Sequence, residues 1–165
     1  ETTEYMVDVS GPAICELLEL EGVASLRDRI GPDVLAPKPD PGRAMDRIRQ
    51  SKAPIGALLM NQKVISGIGN IYRVEVLWLL GIDPRRPGRD LTEDEAKAIW
   101  TETRKLMQDG VRRDAIRTRK VNGRRARYGS SVNIYNEAAC PTCGGSITAD
   151  KMGGRSVYFC EECQT

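Results

Sequence analysis

Apolar positions recur at helical spacing through the middle of the chain and alternate at its two ends. From Pro54 to Leu80 the sequence reads PIGALLMNQKVISGIGNIYRVEVLWLL. Ile55, Leu58 and Leu59 place an apolar face on a helix over 55–60, and Pro54 suits its first turn, where no N–H is needed. Ile71, Val74, Leu77 and Trp78 form a second face at i, i+3, i+6 and i+7. Between the two faces, Val64-Ile65 and the glycines Gly67 and Gly69 predict a tight joint open to unusual backbone angles and to close approach by another backbone. Asn70 is a favoured residue just before a helix start. The amides of Ile71, Tyr72 and Arg73 are then expected to project unpaired from the positive end of the helix, a ready anion site. The plainer alternative is a helix hairpin whose glycines only permit close packing.

Flanking patterns add further elements. A charged helix over 43–52 turns Ala44, Met45 and Ile48 inward. Thr92 and Glu95 form a capping box, and Ala96, Ile99, Trp100, Thr103, Leu106 and Met107 carry a helix to about Asp109-Gly110. Shorter helices are expected over 13–20 and 23–30. The start, 1–9, alternates as a strand through Tyr5, Val7 and Val9, with no partner strand nearby. Gly31-Pro32-Asp33 is a turn signal, and prolines at 37, 39 and 41 make an extended linker and a domain boundary. Near the other end, 132–135 reads as a short strand. The segments 146–149 and 156–159 read as a hairpin with its tip at Met152-Gly153-Gly154-Arg155.

The chain of 165 residues has no His, which removes imidazole acid–base and metal chemistry. Its net charge of +2 hides a concentration of eight basic residues against Asp114 alone over 111–128, the footprint of a polyanion partner or, alternatively, a solvated charge run. No apolar run reaches membrane-spanning length and no signal peptide opens the chain, so an intracellular protein is expected.

Cys140-Pro-Thr-Cys143 and Cys160-Glu-Glu-Cys163, sixteen residues apart, have the spacing of a tetrahedral zinc site. Four thiolates fill the coordination sphere, so one structural Zn2+ is expected and no catalytic one. Cys15, left over in an apolar stretch, reads as a small buried hydrophobe. On spacing alone, a protein-binding zinc ribbon remains an alternative.

The words of the central stretch resemble the helix–two-turns–helix motif of the formamidopyrimidine-DNA glycosylase / endonuclease VIII family. Gly154-Arg155-Ser156-Val157-Tyr158-Phe159-Cys160 through Gln164 resembles its terminal zinc finger. The runs at 54–59 and 73–78 look closer to endonuclease VIII, and Gly56 stands where many formamidopyrimidine-DNA glycosylases have Lys. The resemblance implies a mainly α fold with a small β-hairpin zinc finger and a helix–two-turns–helix bundle. It also implies an N-terminal strand left from a β-sandwich domain. The domain division it implies is 1–35 for the sandwich end and linker, 36–131 for the helical part with the basic loop, and 132–165 for the finger.

It further implies double-stranded DNA with damaged or abasic sites as partner, a monomer, and a cytoplasmic or nucleoid location. Asn70 would hold DNA phosphates with help from Gly67, Gly69, Ile71 and Tyr72, and Arg155 would clamp phosphates from the finger. Cys140, Cys143, Cys160 and Cys163 would hold the zinc. The family's catalytic Pro-Glu start has no counterpart in Glu1-Thr2-Thr3, and no nucleophile–base set emerges from the residues present. Glu75 reads as a helix-face partner of Arg73 or as a packing residue. The expected function is damaged-DNA binding by the C-terminal half of a base-excision-repair DNA glycosylase / AP lyase that removes oxidised bases. The alternative is a stand-alone, non-catalytic DNA- or RNA-binding zinc module.

Overall fold

A computed structural model describes Glu4, Met6 and residues 16–121, 124–125 and 131–165. The strand expected over 1–9, the start of the helix expected from Ala13, and Cys15 fall outside the described residues, Glu4 and Met6 apart. Among the described residues, five helices and two antiparallel strand pairs follow in order. They are α1 (Leu20–Arg29), α2 (Pro41–Arg49), α3 (Ile55–Leu58), α4 (Asn70–Leu79), α5 (Glu93–Arg113), β1 (Lys120–Val121) with β2 (Arg124–Arg125), and β3 (Thr148–Met152) with β4 (Arg155–Phe159). A single 3-10 turn, Gly88–Asp90, precedes α5.

The helices build one core. Val34, Ala44, Ile48, Ile55, Leu59, Ile65, Leu77, Ile99 and Leu106 are all buried in it. Burying a side chain of this size stabilises a fold by roughly 1.5–3 kcal/mol, so this cluster supplies most of the helical part's cohesion. Val34 belongs to it because the segment after α1 runs across the joint before α4. Asp33 and Ser66 form a parallel bridge, and Arg104 donates to the carbonyls of Val34 and Ala36. By contrast α1 buries no residue, and its Leu20 and Leu26 are exposed.

The helix expected over 55–60 closes after one turn, Ile55–Leu58, because the chain turns to place Val64, Ile65 and Ile68 in the core. The capping box forms as expected: the Thr92 hydroxyl accepts from the Glu95 N–H, and the Glu95 carboxylate accepts from the Thr92 N–H. The helix it starts runs past Gly110 to Arg113, so Arg112 and Arg113 of the basic stretch are helical and reach Asp109. Further along that stretch, Lys120–Val121 pairs with Arg124–Arg125.

The hairpin strands are longer than expected and leave a two-residue tip. Met152 pairs with Arg155, and Gly153 and Gly154 both have positive φ, 62° and 75°. Such a turn matches the twist of its strands but is closed to most side chains, which explains the glycine pair.

No strand forms over 132–135. The backbone amides of Asn133, Ile134 and Tyr135 instead converge on the Glu75 carboxylate, a concave arrangement that an extended strand, with amides pointing alternately to opposite sides, excludes. A second, smaller core joins α4 to the finger: Val74, Ile134, Val157 and Phe159, with Trp78, Tyr135 and Met152 against them. The finger therefore has some packing of its own. The last residues tie it down further, with Gln164 donating to the Ile82 carbonyl and Thr165 bonded to Gly81 and Asp83. Among the described residues, no helix is long and apolar enough to cross a membrane.

Candidate functional site

The joint before α4 is shaped by Gln62 and Gly67. Gln62 accepts from the Gly67 N–H at 2.9 Å and donates to the Ile68 carbonyl at 3.3 Å, bracketing the turn. Gly67 takes φ 91°, where a side chain is strained. Gly69 differs: its backbone is extended (φ −101°, ψ 170°), and a Cβ there would meet nothing within 4 Å. Nothing inside the described molecule requires a glycine at 69, so its surroundings are open to a ligand.

Gly69, not Asn70, is the residue that caps α4, and no side-chain cap bond forms. Asn70 is the first helical residue. The helical ladder starts at once, with the Arg73 N–H donating to the Gly69 carbonyl at 3.0 Å, so Arg73 offers no free amide. Tyr72 packs its ring against the helical core and places its hydroxyl on Gly110, where a Cβ would come within 2.1 Å of it. Ile71 is half-buried.

Asn70 uses its side chain across the molecule. Its Nδ2 donates to the Ser156 carbonyl at 2.9 Å and reaches the Tyr135 hydroxyl at 3.5 Å. Ser156 follows Arg155, which lies exposed at the start of β4. The two residues that the sequence pointed to for phosphate contacts, 85 positions apart in the chain, thus stand on neighbouring elements.

Behind them lies Arg73, wholly buried. Its guanidinium donates to the carbonyls of Gly56 (3.2 Å), Met152 (3.0 Å) and Ser156 (3.0 Å) and to the Asn70 amide oxygen. Burial draws its pKa down, with Tyr135 opposing and the nearby charge of Arg155 adding to the fall. Glu75, two residues on and also wholly buried, does not pair with Arg73. It accepts from the amides of Asn133, Ile134 and Tyr135, from Asn133 Nδ2 and from the Thr118 hydroxyl. The signal that could have flagged both is the run Arg-Val-Glu within an otherwise apolar helix face. Charges there must find partners from elsewhere in the chain.

Gly56, whose carbonyl Arg73 reaches, is closed to larger residues by the close approach of Met152 and Pro84. A Cβ on it would lie 2.7 Å from Met152 Sδ and 3.1 Å from the Pro84 carbonyl. Gly56→Ala is expected to cost about 1–3 kcal/mol, the usual toll of overpacking, measurable by urea unfolding. Unchanged stability would show that the finger docks more loosely than this.

The four cysteine sulfurs all lie within 4.8 Å of one another, with Cys140–Cys163 at 3.8 Å and Cys143–Cys160 at 3.5 Å. A tetrahedron with Zn–S near 2.3 Å has edges of about 3.8 Å, so the cluster fits one zinc ion. Gly144 at φ 76° turns the first knuckle, its N–H donating to the Cys140 carbonyl, while Gly145 N–H donates to Cys143 Sγ. Burial works against the Cys140 thiolate. The amides of Cys143 and Thr142 lead the groups that more than offset it and bring the thiol down to about 6. Cys163, sharing its proton with Cys143 and partly buried, is pushed up to about 12. Four thiols this close ionise together only around a cation, which is the chemistry of a structural zinc site with no open position.

Comparison with known proteins agrees with both halves of this geometry. Residues 30–122 match the formamidopyrimidine-DNA glycosylase H2TH domain, and residues 139–165 match the zinc finger found in FPG and IleRS. The chain is 40% identical over 169 residues to endonuclease 8 1 of Mycobacterium tuberculosis, covering 98% of this chain and 63% of that protein. It is 37% identical over 153 residues to formamidopyrimidine-DNA glycosylase of Chloroflexus aggregans, covering 90% of this chain and 56% of that protein. The chain thus spans less than two thirds of the length of these relatives. Among solved structures, a complex between Lactococcus lactis Fpg and DNA containing an abasic site superposes with a TM-score of 0.72 at 26% identity, over 89% of this chain and 56% of that one.

Proposed function

Because this chain belongs to the formamidopyrimidine-DNA glycosylase H2TH domain family, we propose that it is the DNA-holding part of a base-excision-repair glycosylase and AP lyase that removes oxidised bases from duplex DNA. The observation that carries this reading is the adjacency of Asn70 and Arg155, bridged by the bond from Asn70 Nδ2 to the Ser156 carbonyl. One donor sits at the N-terminus of a ten-residue helix, where the dipole favours an anion. The other is a planar fork suited to two phosphate oxygens. Gly69 leaves the ground beside Asn70 clear for a sugar-phosphate backbone to come close. Such contacts position a duplex without reading its sequence, which suits an enzyme that must find a lesion anywhere.

In this reading Ile71 and Tyr72 contribute backbone amides alone, since the Tyr72 side chain is spent on the core. The zinc braces the hairpin that presents Arg155. The protein works as a monomer on chromosomal DNA inside the cell. Lactococcus lactis Fpg is bound to DNA containing an abasic site, and MutM to DNA containing carbocyclic 8-oxo-G, so a duplex with a central abasic site is the natural probe here.

The test is fluorescence anisotropy of this chain with that duplex and with its undamaged counterpart. Tighter binding to the abasic duplex, with Asn70→Ala and Arg155→Ala each weakening both complexes by roughly tenfold, is the expected result. Equal affinity of both variants and the unaltered chain would overturn the reading.

A further inference from the structure

We propose that Arg73 is a positioning residue for DNA binding: it sets the Asn70 amide as a phosphate donor and ties it to the strand that carries Arg155. This rests on the DNA-binding reading above. A guanidinium has only donors. The Asn70 atom turned towards Arg73 must therefore be the amide oxygen, and Nδ2 must face the other way. There one of its hydrogens is given to the Ser156 carbonyl at 2.9 Å. The second has only the Tyr135 hydroxyl at 3.5 Å, a weak partner that an anion oxygen would readily replace. With the amide reversed, its oxygen would meet the Ser156 carbonyl oxygen and present a lone pair to the phosphate. Arg73 excludes that state.

The same guanidinium binds the Ser156 and Met152 carbonyls of the finger and the Gly56 carbonyl of α3. It thus holds three segments around Asn70, and the position of Asn70 relative to Arg155 follows from it. Its charge is the second observation. Arg73 is wholly buried, its Nε has no hydrogen-bond partner among the described residues, and no carboxylate among them pairs with it. Glu75, the nearest in sequence, is committed to the 133–135 amides. A buried cation held only by carbonyl oxygens is costly. Directly behind Asn70, with Arg155 beside it, it adds positive potential where a phosphate would dock, without touching the phosphate itself.

A lysine could not reproduce this, because one ammonium cannot bond four divergent acceptors in a plane. The experiment uses this chain with zinc bound and the abasic duplex. It compares Asn70→Ala, Arg73→Lys and the double variant by anisotropy, with zinc content and far-UV circular dichroism as folding checks. Arg73→Lys is expected to keep its zinc and helicity and to lose roughly tenfold in affinity, with the double variant no weaker than Asn70→Ala. Losses that multiply, or a folded Arg73→Lys that binds like the unaltered chain, would overturn the proposal while leaving the DNA reading intact. If Asn70→Ala also binds normally, both fail together.

Should Arg73→Lys fold poorly, the unaltered chain still decides. Its Asn70 side-chain NH2 signals should be dispersed and protected from exchange, with one proton moving on addition of duplex. An Asn70 amide that is averaged and freely exchanging in the free chain would overturn the proposal.

Discussion

Glu75→Ala is expected to lower the unfolding free energy of this chain by about 4 kcal/mol, enough to unfold a marginal domain. The carboxylate is wholly buried and accepts five hydrogen bonds, three of them from consecutive backbone amides. Truncation leaves those donors without an acceptor in a space closed to bulk water. Each unsatisfied buried donor costs roughly 1–3 kcal/mol, discounted here because some regain water as the site relaxes. Glu75→Gln keeps the volume but turns an NH2 towards donors, and about 2 kcal/mol should be lost. Urea unfolding followed by circular dichroism measures both. A loss under about 1 kcal/mol for Glu75→Ala would mean that the 131–135 segment is held by other contacts.

Zinc removal should have the larger effect on function. Structural zinc contributes on the order of 10 kcal/mol to small domains, whose folding is inseparable from binding the ion. The finger's own packing is slight: Val157 and Phe159 are its buried apolar side chains in the core shared with α4, where Ile134 and Val74 meet them. A chelator should therefore erase the hairpin signals in NMR while α2, α4 and α5, which share the larger core, keep most of the helical circular dichroism. The Ser156 carbonyl would be lost to Asn70, and Met152 and Ser156 to Arg73. Affinity for abasic duplex should fall at least a hundredfold, about 2.7 kcal/mol. A metal-free chain with an intact hairpin would contradict a structural ion.

What the sequence made legible was whatever depends on near neighbours. Thr92 and Glu95 are three residues apart and cap α5 as the pattern predicts. The Cys-x-x-Cys pairs define a metal geometry by spacing alone, and their sulfurs converge accordingly. What stayed hidden were bonds between distant segments. The 132–135 stretch reads as a strand by composition, but its amides answer to Glu75, nearly sixty residues away. Asn70 has a good capping side chain, yet Arg73 and Ser156 compete for it and win, leaving the cap to Gly69. The place of the Tyr72 side chain was equally hidden, since Gly110, on a helix nearly forty residues later, offers the flat surface for its hydroxyl. No periodicity encodes such partners, because each is chosen by the assembled fold.

DNA binding by this chain requires Asn70 and Arg155 to hold one polyanion together. The direct measurement is the slope of log K against log salt for abasic duplex, for the unaltered chain, Arg155→Ala and Asn70→Ala. Loss of one cation–phosphate contact should flatten the slope by about one unit in Arg155→Ala, while the uncharged Asn70→Ala lowers affinity at unchanged slope. A slope that Arg155→Ala leaves untouched would contradict it.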